Sequence, residues 1–323
     1  MQQAPIGKMR VYGCGGMGIN IAAYFNNAAV EPNCAEVMPA YIDASRSNLR
    51  DDFNDEDIFV LENVDGSGKV RKENHAEISN VLRQILLQVE PADFNVVVFS
   101  ASGGSGSVIG PLIMAELLER GHTAVAVVVG SDESIITANN TLNTLKSLEA
   151  ISKRANLPVV MYYDHNDRDR RRSDVDAQLH LAISSLAVLS SKQNREMDTR
   201  DIANWVQFSK TTSVGPQLAQ LEVFADAEQA GKIKDPISVA SIYVSEEVKP
   251  VGLVPEYHAA GYLSEDSDKF EQLHYVITID ALPNIVDSVK KTLEQYHTQR
   301  DSRVKQASIL GDDDQTTDSG LVL

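Results

Sequence analysis

The sequence predicts an α/β fold built on a parallel sheet, and three observations carry that prediction. Short β-rich runs alternate with helical patterns through the first half, as a parallel sheet with crossover helices requires. Residues 94–99 and 123–129 are nearly continuous apolar runs of strand length, which is how strands buried on both faces read. Val175, Leu179, Ala182, Ile183, Leu186 and Leu189 recur at helical spacing, and this long apolar stripe divides the chain into two parts.

The elements follow in order. Residues 9–12 are a strand leading into a glycine turn, and 19–25 continue at helical spacing. A short strand at 40–43 precedes a polar, acidic stretch from 51 to 72, read mostly as loop with a short strand at 58–61. Ile78, Leu82, Ile85, Leu86 and Val89 place a helix over 73–89. The small, glycine-rich stretch 100–107 leads into a helix at 108–120, with Gly121 as its C-terminal cap. A helix within 134–154, a strand at 157–163, a charged stretch at 164–174 and the long helix 175–192 come next. Residues 237–244 and 273–279 read as strands of a smaller α/β unit, and Pro283 opens a long amphipathic helix reaching about Ile309. The ending, 311–323, holds four aspartates and no base.

Composition excludes several classes. With 323 residues, 43% of them hydrophobic, a sizeable core is available and general disorder is excluded. Forty-six acidic against twenty-nine basic residues give −17, which argues against a basic, sequence-independent DNA clamp. No apolar run approaches the ~20 residues that cross a bilayer, and the polar N-terminus lacks a secretory signal. Two cysteines, Cys14 and Cys34, make no disulfide framework and fit a reducing compartment. A cytoplasmic protein without a membrane partner is expected. Seven histidines show no metal-ligand spacing, so no protein-held metal site is expected.

The chemistry concentrates in two glycine loops. Gly13-Cys14-Gly15-Gly16-Met17-Gly18-Ile19-Asn20 follows the first strand and opens the first helix, where backbone N–H groups and the helix N-terminus attract phosphate. Alone it also matches the dinucleotide fingerprint of an NAD-dependent oxidoreductase, with Glu36 or Asp43 as the ribose acid. That reading leaves a second loop unused. Ser102-Gly103-Gly104-Ser105-Gly106-Ser107 also lies between a buried strand and a helix, and two such loops facing one crevice suit a triphosphate. Neither contains the Walker lysine of an ordinary P-loop.

These residues resemble the tubulin/FtsZ superfamily. Residues 102–107 are similar to its G-G-G-T-G-[ST]-G signature, with Ser102, Ser105 and Val108 as departures. Gly13, Cys14, Gly15, Gly16 and Asn20 resemble the first phosphate loop, Asp43 and Ala44 the second, and Asp65-Gly66-Ser67-Gly68-Lys69 the third, near the γ-phosphate. By the same resemblance Glu133 is the ribose acid, Asn166 a guanine contact and Asp176 the second base contact, with Asp174 a close rival. Asp198 and Asp201 match the two acids of the catalytic loop, although Glu196 stands where the family has asparagine. Read without the resemblance, this pair is a helix end with an N-cap aspartate.

The resemblance implies a tubulin/FtsZ fold: a GTP-binding, Rossmann-like domain (1–172), a central helix and the start of the catalytic loop (173–199), a second α/β domain (200–282), a C-terminal helix (283–310) and an acidic tail (311–323). It implies GTP with Mg²⁺ as cofactor, and head-to-tail assembly in which Asp198 and Asp201 complete the next subunit's GTPase site. The short chain with its acidic tail most resembles the phage-encoded PhuZ and plasmid-encoded TubZ groups. The former implies filaments that position phage DNA in the host bacterial cytoplasm, the latter plasmid partition, and either link to DNA is indirect. The tail carries Asp312, Asp313 and Asp314 for a basic patch on the next subunit and closes with Leu321-Val322-Leu323. Arg168, Arg170, Arg171 and Arg172, or Lys232 with Lys234, are the candidate patches. A tubulin-like fold holding GTP without turnover is a further alternative, against which the aspartate pair argues.

Overall fold

The computed structural model describes residues 6–61, 64, 66–167, 169–247, 251–263 and 272–304. Asp65, Arg168, the expected last turn of the terminal helix and the acidic tail lie outside them. The first half alternates as expected: β1 (Lys8–Cys14), α1 (Gly15–Ala22), β2 (Glu36–Asp43), β3 (Ile58–Val60), α2 (His75–Gln88), β4 (Phe94–Ser100), α3 (Gly106–Glu119), β5 (Ala124–Ser131), α4 (Ile135–Ala155) and β6 (Val159–Asn166). Then come α5 (Arg172–Leu189), α6 (Thr199–Val206), β7 (Leu218–Phe224), α7 (Ala227–Ala230), β8 (Ser238–Tyr243), β9 (Tyr257–Tyr262), β10 (Leu273–Thr278) and α8 (Leu282–Val304).

All ten strands pair in one sheet of order β3-β2-β1-β4-β5-β6-β7-β10-β8-β9. The run from β3 to β7 is parallel, β10 is antiparallel to β7 and β8, and β8 pairs parallel with β9. Every residue of β5 is buried, as its unbroken apolar run requires of a strand covered on both faces. The β6–β7 pairing of Val159–Met161 with Leu218–Gln220 carries the sheet into the second half of the chain.

The apolar stripe of α5 is buried as predicted. Val175, Leu179, Ile183 and Leu186 share one core with Trp205 of α6 and Tyr275 of β10, so this helix packs against both halves. Each such aliphatic side chain contributes roughly 1.5–3 kcal/mol on burial. Trp205 and Tyr275 meet edge to face at 5.9 Å, and the Tyr275 hydroxyl donates to the Ser185 carbonyl of α5. Two ends differ from expectation for clear reasons. The left-handed Asn156 (φ +52°) terminates α4, and α5 begins at Arg172, before its apolar stripe, because 172–174 form an exposed first turn.

Tyr275→Phe removes the hydrogen bond between β10 and α5 while preserving ring packing. It should lower the unfolding free energy by about 1 kcal/mol, read as an earlier denaturation midpoint in the fluorescence of Trp205, the single tryptophan.

Candidate functional site

The carboxyl ends of β1 and β4 deliver the two glycine loops side by side. Gly15 has a φ of +69°, and a Cβ there would lie 2.8 Å from the Gly106 backbone. A Cβ on Gly106 would in turn approach the Cys14 carbonyl to 2.6 Å. The two turns therefore touch through backbone alone. Neither α1 nor α3 has a side-chain N-cap or an acidic residue in its first turn, which leaves the early N–H groups and positive dipole ends available to an anion. α4 and α6, by contrast, are closed by capping boxes.

Beside these turns lies a cavity of about 300 Å³. Asn20, Ser102 and Gly103 line it towards the glycine loops, and Glu133, Asn166 and Asp176 line it on the β5, β6 and α5 side. These predicted residues, taken from five separate segments, are thus brought together. Asp176 lines the cavity, whereas the rival Asp174 is exposed in the first turn of α5 and does not. The Asn166 Oδ1 is buried without a hydrogen-bond partner, an acceptor left for a donor outside the protein. Burial raises the carboxyl pKa of Asp176, opposed by His180 and Arg172.

Other predicted residues brace the site. Asp43 is buried and accepts from Ala44 N (2.7 Å) and Ser105 Oγ (2.8 Å) through one oxygen, and from Asn48 Nδ2 (3.2 Å) through the other. It ties the second loop to the glycine loop. Ala44 accepts from Gly66 N. Ser67 packs so closely that a Cβ on Gly104 would lie 2.3 Å from its Oγ. Gly68 is exposed. Ser107 donates to the carbonyls of Gly103 and Gly104. Gly13 lies within β1, where a Cβ would meet Gly18 and Ala22, and the Cys14 thiol is buried, with its pKa raised by burial and then by Asp43. Neither residue is among those lining the cavity. A Cβ on Gly16 would meet Asn48.

Met17, Lys69, Ser100, Ser131, Thr137 and Arg172 also line the cavity. Lys69 lies in the third loop of the resemblance, Ser100 in the small glycine-rich stretch and Arg172 in the basic cluster, whereas Met17, Ser131 and Thr137 were not singled out. The Ser134–Thr137 spacing, which forms the α4 capping box, is the local signal for Thr137. Arg172 also belongs to the basic cluster 168–172. Its guanidinium lies 3.2 Å from the Glu133 carboxylate, and Arg170 pairs with Asp164. Two of those cations thus have an acidic partner within the chain, presented by β6 and the β5–α4 turn. Lys232 and Lys234 are exposed and form no ion pair among the described residues.

Asp198 and Asp201 lie elsewhere. Asp198 caps α6, its Oδ1 accepting from Arg200 N (2.7 Å) and Asp201 N (3.0 Å). Asp201 Oδ2 accepts from Asp198 N (2.9 Å), and its Oδ1 accepts from the Tyr257 hydroxyl (3.2 Å). The N-cap reading is therefore correct in local structure, and Asp198 Oδ2 takes part in none of these bonds. Glu196 adopts a φ of +79°, a conformation that asparagine tolerates better. α6 packs on β8 and β9, and β9 stands five places from β5 in the sheet, on the order of 20–25 Å at the usual strand spacing. Neither acid lines the cavity.

A larger groove of about 860 Å³ along the β3 edge lacks the glycine turns. Among the described residues no three His, Cys, Asp or Glu side chains converge on a metal position, and no helix is long and apolar enough to cross a membrane.

The Asp176 shift has a definite sign. Burial makes the folded chain bind this proton more tightly than the unfolded chain, so ionisation weakens the fold as pH rises through the carboxylate range. Asp176→Asn should raise the urea midpoint of the ligand-free protein at neutral pH and leave it unchanged well below the carboxylate range.

The comparisons agree with this geometry. The model of the tubulin/FtsZ family GTPase domain matches residues 8–165, and that of the phage tubulin-like protein C-terminal domain matches residues 197–279. The phage tubulin-like protein of Pseudomonas phage phiKZ is 31% identical, over 98% of this chain and 98% of that protein. The protofilament structure of TubZ from bacteriophage PhiKZ superposes with a TM-score of 0.87 at 31% identity, covering 98% of this chain and 99% of that one. The structure of phage tubulin PhuZ with GDP gives 0.88 at 25% identity, with 98% and 99% covered. The expected fold is thus found, and the Gly13–Gly18 fingerprint falls inside a GTPase domain. The chain belongs to the tubulin/FtsZ family, as a GTPase of its phage tubulin-like branch.

Proposed function

We propose that this protein binds GTP in the cavity between the glycine loops and α5, and hydrolyses it only when a second copy supplies Asp198 and Asp201. The observation that carries this reading is the separation of two differently finished ends. The uncapped N-termini of α1 and α3 meet at one crevice, while the acid pair is fixed at the start of α6, beyond reach of its own cavity. The phosphates would take the N–H groups of the two turns, the ribose would meet Glu133, and the guanine would meet Asn166 and Asp176. The orphaned Asn166 acceptor supports the base position.

The donor set suits a magnesium ion carried mainly by the nucleotide. Both Asp43 oxygens are already committed, and Mg²⁺ habitually keeps waters and phosphate oxygens as ligands. When bound, it would neutralise charge on the phosphates. This chain's residues do the rest. The two turns orient the phosphates, and a neighbour's Asp198, through the oxygen that capping leaves unused, polarises the attacking water. Positioning and charge stabilisation of this kind dominate phosphoryl transfer.

Head-to-tail repetition of such a contact does not close and gives a filament. The relatives include a protein solved as a protofilament, which supports self-assembly here. In a phage-infected bacterium, such filaments would lie in the host cytoplasm and position phage DNA through an adaptor, since a net charge of −17 argues against a basic, sequence-independent DNA clamp.

Phosphate release from GTP should switch on at a threshold protein concentration together with pelleting. Asp198→Asn retains the capping oxygen and should still pellet, with turnover reduced about 10²-fold. Turnover proportional to protein at all concentrations would refute the shared site.

The acidic tail of one subunit would grip Lys232 and Lys234 of the next, a basic pair with no ion-pair partner among the described residues. Replacing both lysines by glutamate, or deleting residues 312–314, should raise the critical concentration in sedimentation. Added salt should do the same to the parent protein. An unchanged critical concentration in both variants would make the tail a solubilising end.

A further inference from the structure

One buried side chain on α4 holds two of the phosphate loops together. Asn140 is 7% exposed, and its Nδ2 donates to Lys69 O (2.9 Å), Ser102 O (3.2 Å) and Gly103 O (3.1 Å). An amide has two N–H groups, so three carbonyls share them. Those carbonyls come from the Gly66–Lys69 loop and from the glycine loop after β4. Around this point Arg71 donates to Asn140 O (3.2 Å), Thr144 Oγ1 (2.7 Å) and Ser147 Oγ (3.3 Å). The Thr144 hydroxyl also lies 2.9 Å from Ala101 O. Burial lowers the Arg71 pKa, and among the described residues no carboxylate forms an ion pair with it.

The loop requires such an anchor. Gly66, Gly68 and Lys69 all have positive φ, of +70°, +51° and +67°. For Lys69 this conformation carries a steric cost that surrounding contacts must offset. This loop makes close contact with the glycine loop, where a Cβ on Gly104 would lie 3.0 Å from the Lys69 backbone. The Gly66–Lys69 loop also places Lys69 beside Ser102 and Gly103 and packs Ser67 on Gly104. What it meets is therefore the phosphate end of a ligand.

We infer that Asn140 is a positioning residue that clasps the Gly66–Lys69 loop to the glycine loop, so that the site discriminates a nucleoside triphosphate from a diphosphate. This rests on the guanine-nucleotide reading above. The α1 and α3 turns hold the phosphates nearest the nucleoside with or without the clasp. The terminal phosphate is the group that needs both loops in register.

The test measures equilibrium binding of labelled GDP and of a labelled non-hydrolysable GTP analogue below the assembly threshold. Asn140→Asp keeps shape but removes both donors, and Asn140→Ala removes the side chain. Each should weaken analogue binding about tenfold, the loss of one to two net hydrogen bonds, with GDP affinity kept within twofold. Thr144→Val, further from the cavity, should shift the same ratio by a smaller factor. Equal loss for both nucleotides, or an unchanged ratio in all three variants, would overturn the role given to Asn140 while GDP binding by the parent protein leaves the nucleotide reading intact. A parent protein that binds neither ligand would overturn that reading, and the inference with it.

Discussion

The site depends on a backbone contact that admits no side chain. Gly15 and Gly106 stand at the first residues of α1 and α3, and each occupies space that a Cβ on the other's neighbourhood would claim. Because β1 and β4 are adjacent and parallel, their helices start at the same edge of the sheet. The glycines allow those starts to close to van der Waals distance. Two dipole ends and their free N–H groups then act on one small volume, which gives a polyanion more donors than either turn could offer. Substitution at either glycine would separate the turns before it changed any chemistry.

A second layer of polar contacts fixes the loops on which this contact relies. Asp43 reaches Ser105, Asn74 reaches the Gly66 carbonyl (2.7 Å), and Asn140 reaches three carbonyls on two loops. These are buried or half-buried side chains acting on a neighbouring hydroxyl or on backbone carbonyls, where losing a partner costs more than the bond itself contributes. The result is a set of short loops, several in left-handed conformations, held without regular secondary structure. The positions of Ser67 and Lys69 follow from those braces rather than from local propensity.

How much of this was legible in the sequence follows from which signals are local. Glycine turns after buried strands, the α5 stripe and the Asp198–Asp201 spacing are local patterns, and each lies where the pattern put it. β7 and β9 were missed. β7 was not read as a strand although Ala219-Gln220-Leu221-Glu222-Val223 alternates with period 2, and β9 is largely small and aromatic residues (Tyr-His-Ala-Ala-Gly-Tyr) with no such alternation. Their pairing partners decide them. Arg172 reads as one of four clustered cations until Glu133, thirty-nine positions away, is placed beside it. Asn140 and Arg71 are ordinary polar residues in sequence, and only tertiary contact gives them a task.

The finish of each helix N-terminus separates the two ends of the molecule. α4 and α6 satisfy their first N–H groups internally, and α1 and α3 do not. An uncapped start forgoes about 1 kcal/mol of local stability, so two of them at one point constitute a standing demand for an anion. At α6 the same chemistry runs in reverse. Its cap is built from two carboxylates, which satisfy the first N–H groups and suit the dipole, so the end presents negative charge instead of attracting it. Asp201 is held by both oxygens, and it fixes Asp198, whose second oxygen is uncommitted. An anion-seeking surface and an acid-bearing surface, rigidly joined by one sheet and separated by several strands, complement each other only between copies. On the function proposed above, the feature that makes each end incomplete by itself is what would couple nucleotide chemistry to assembly.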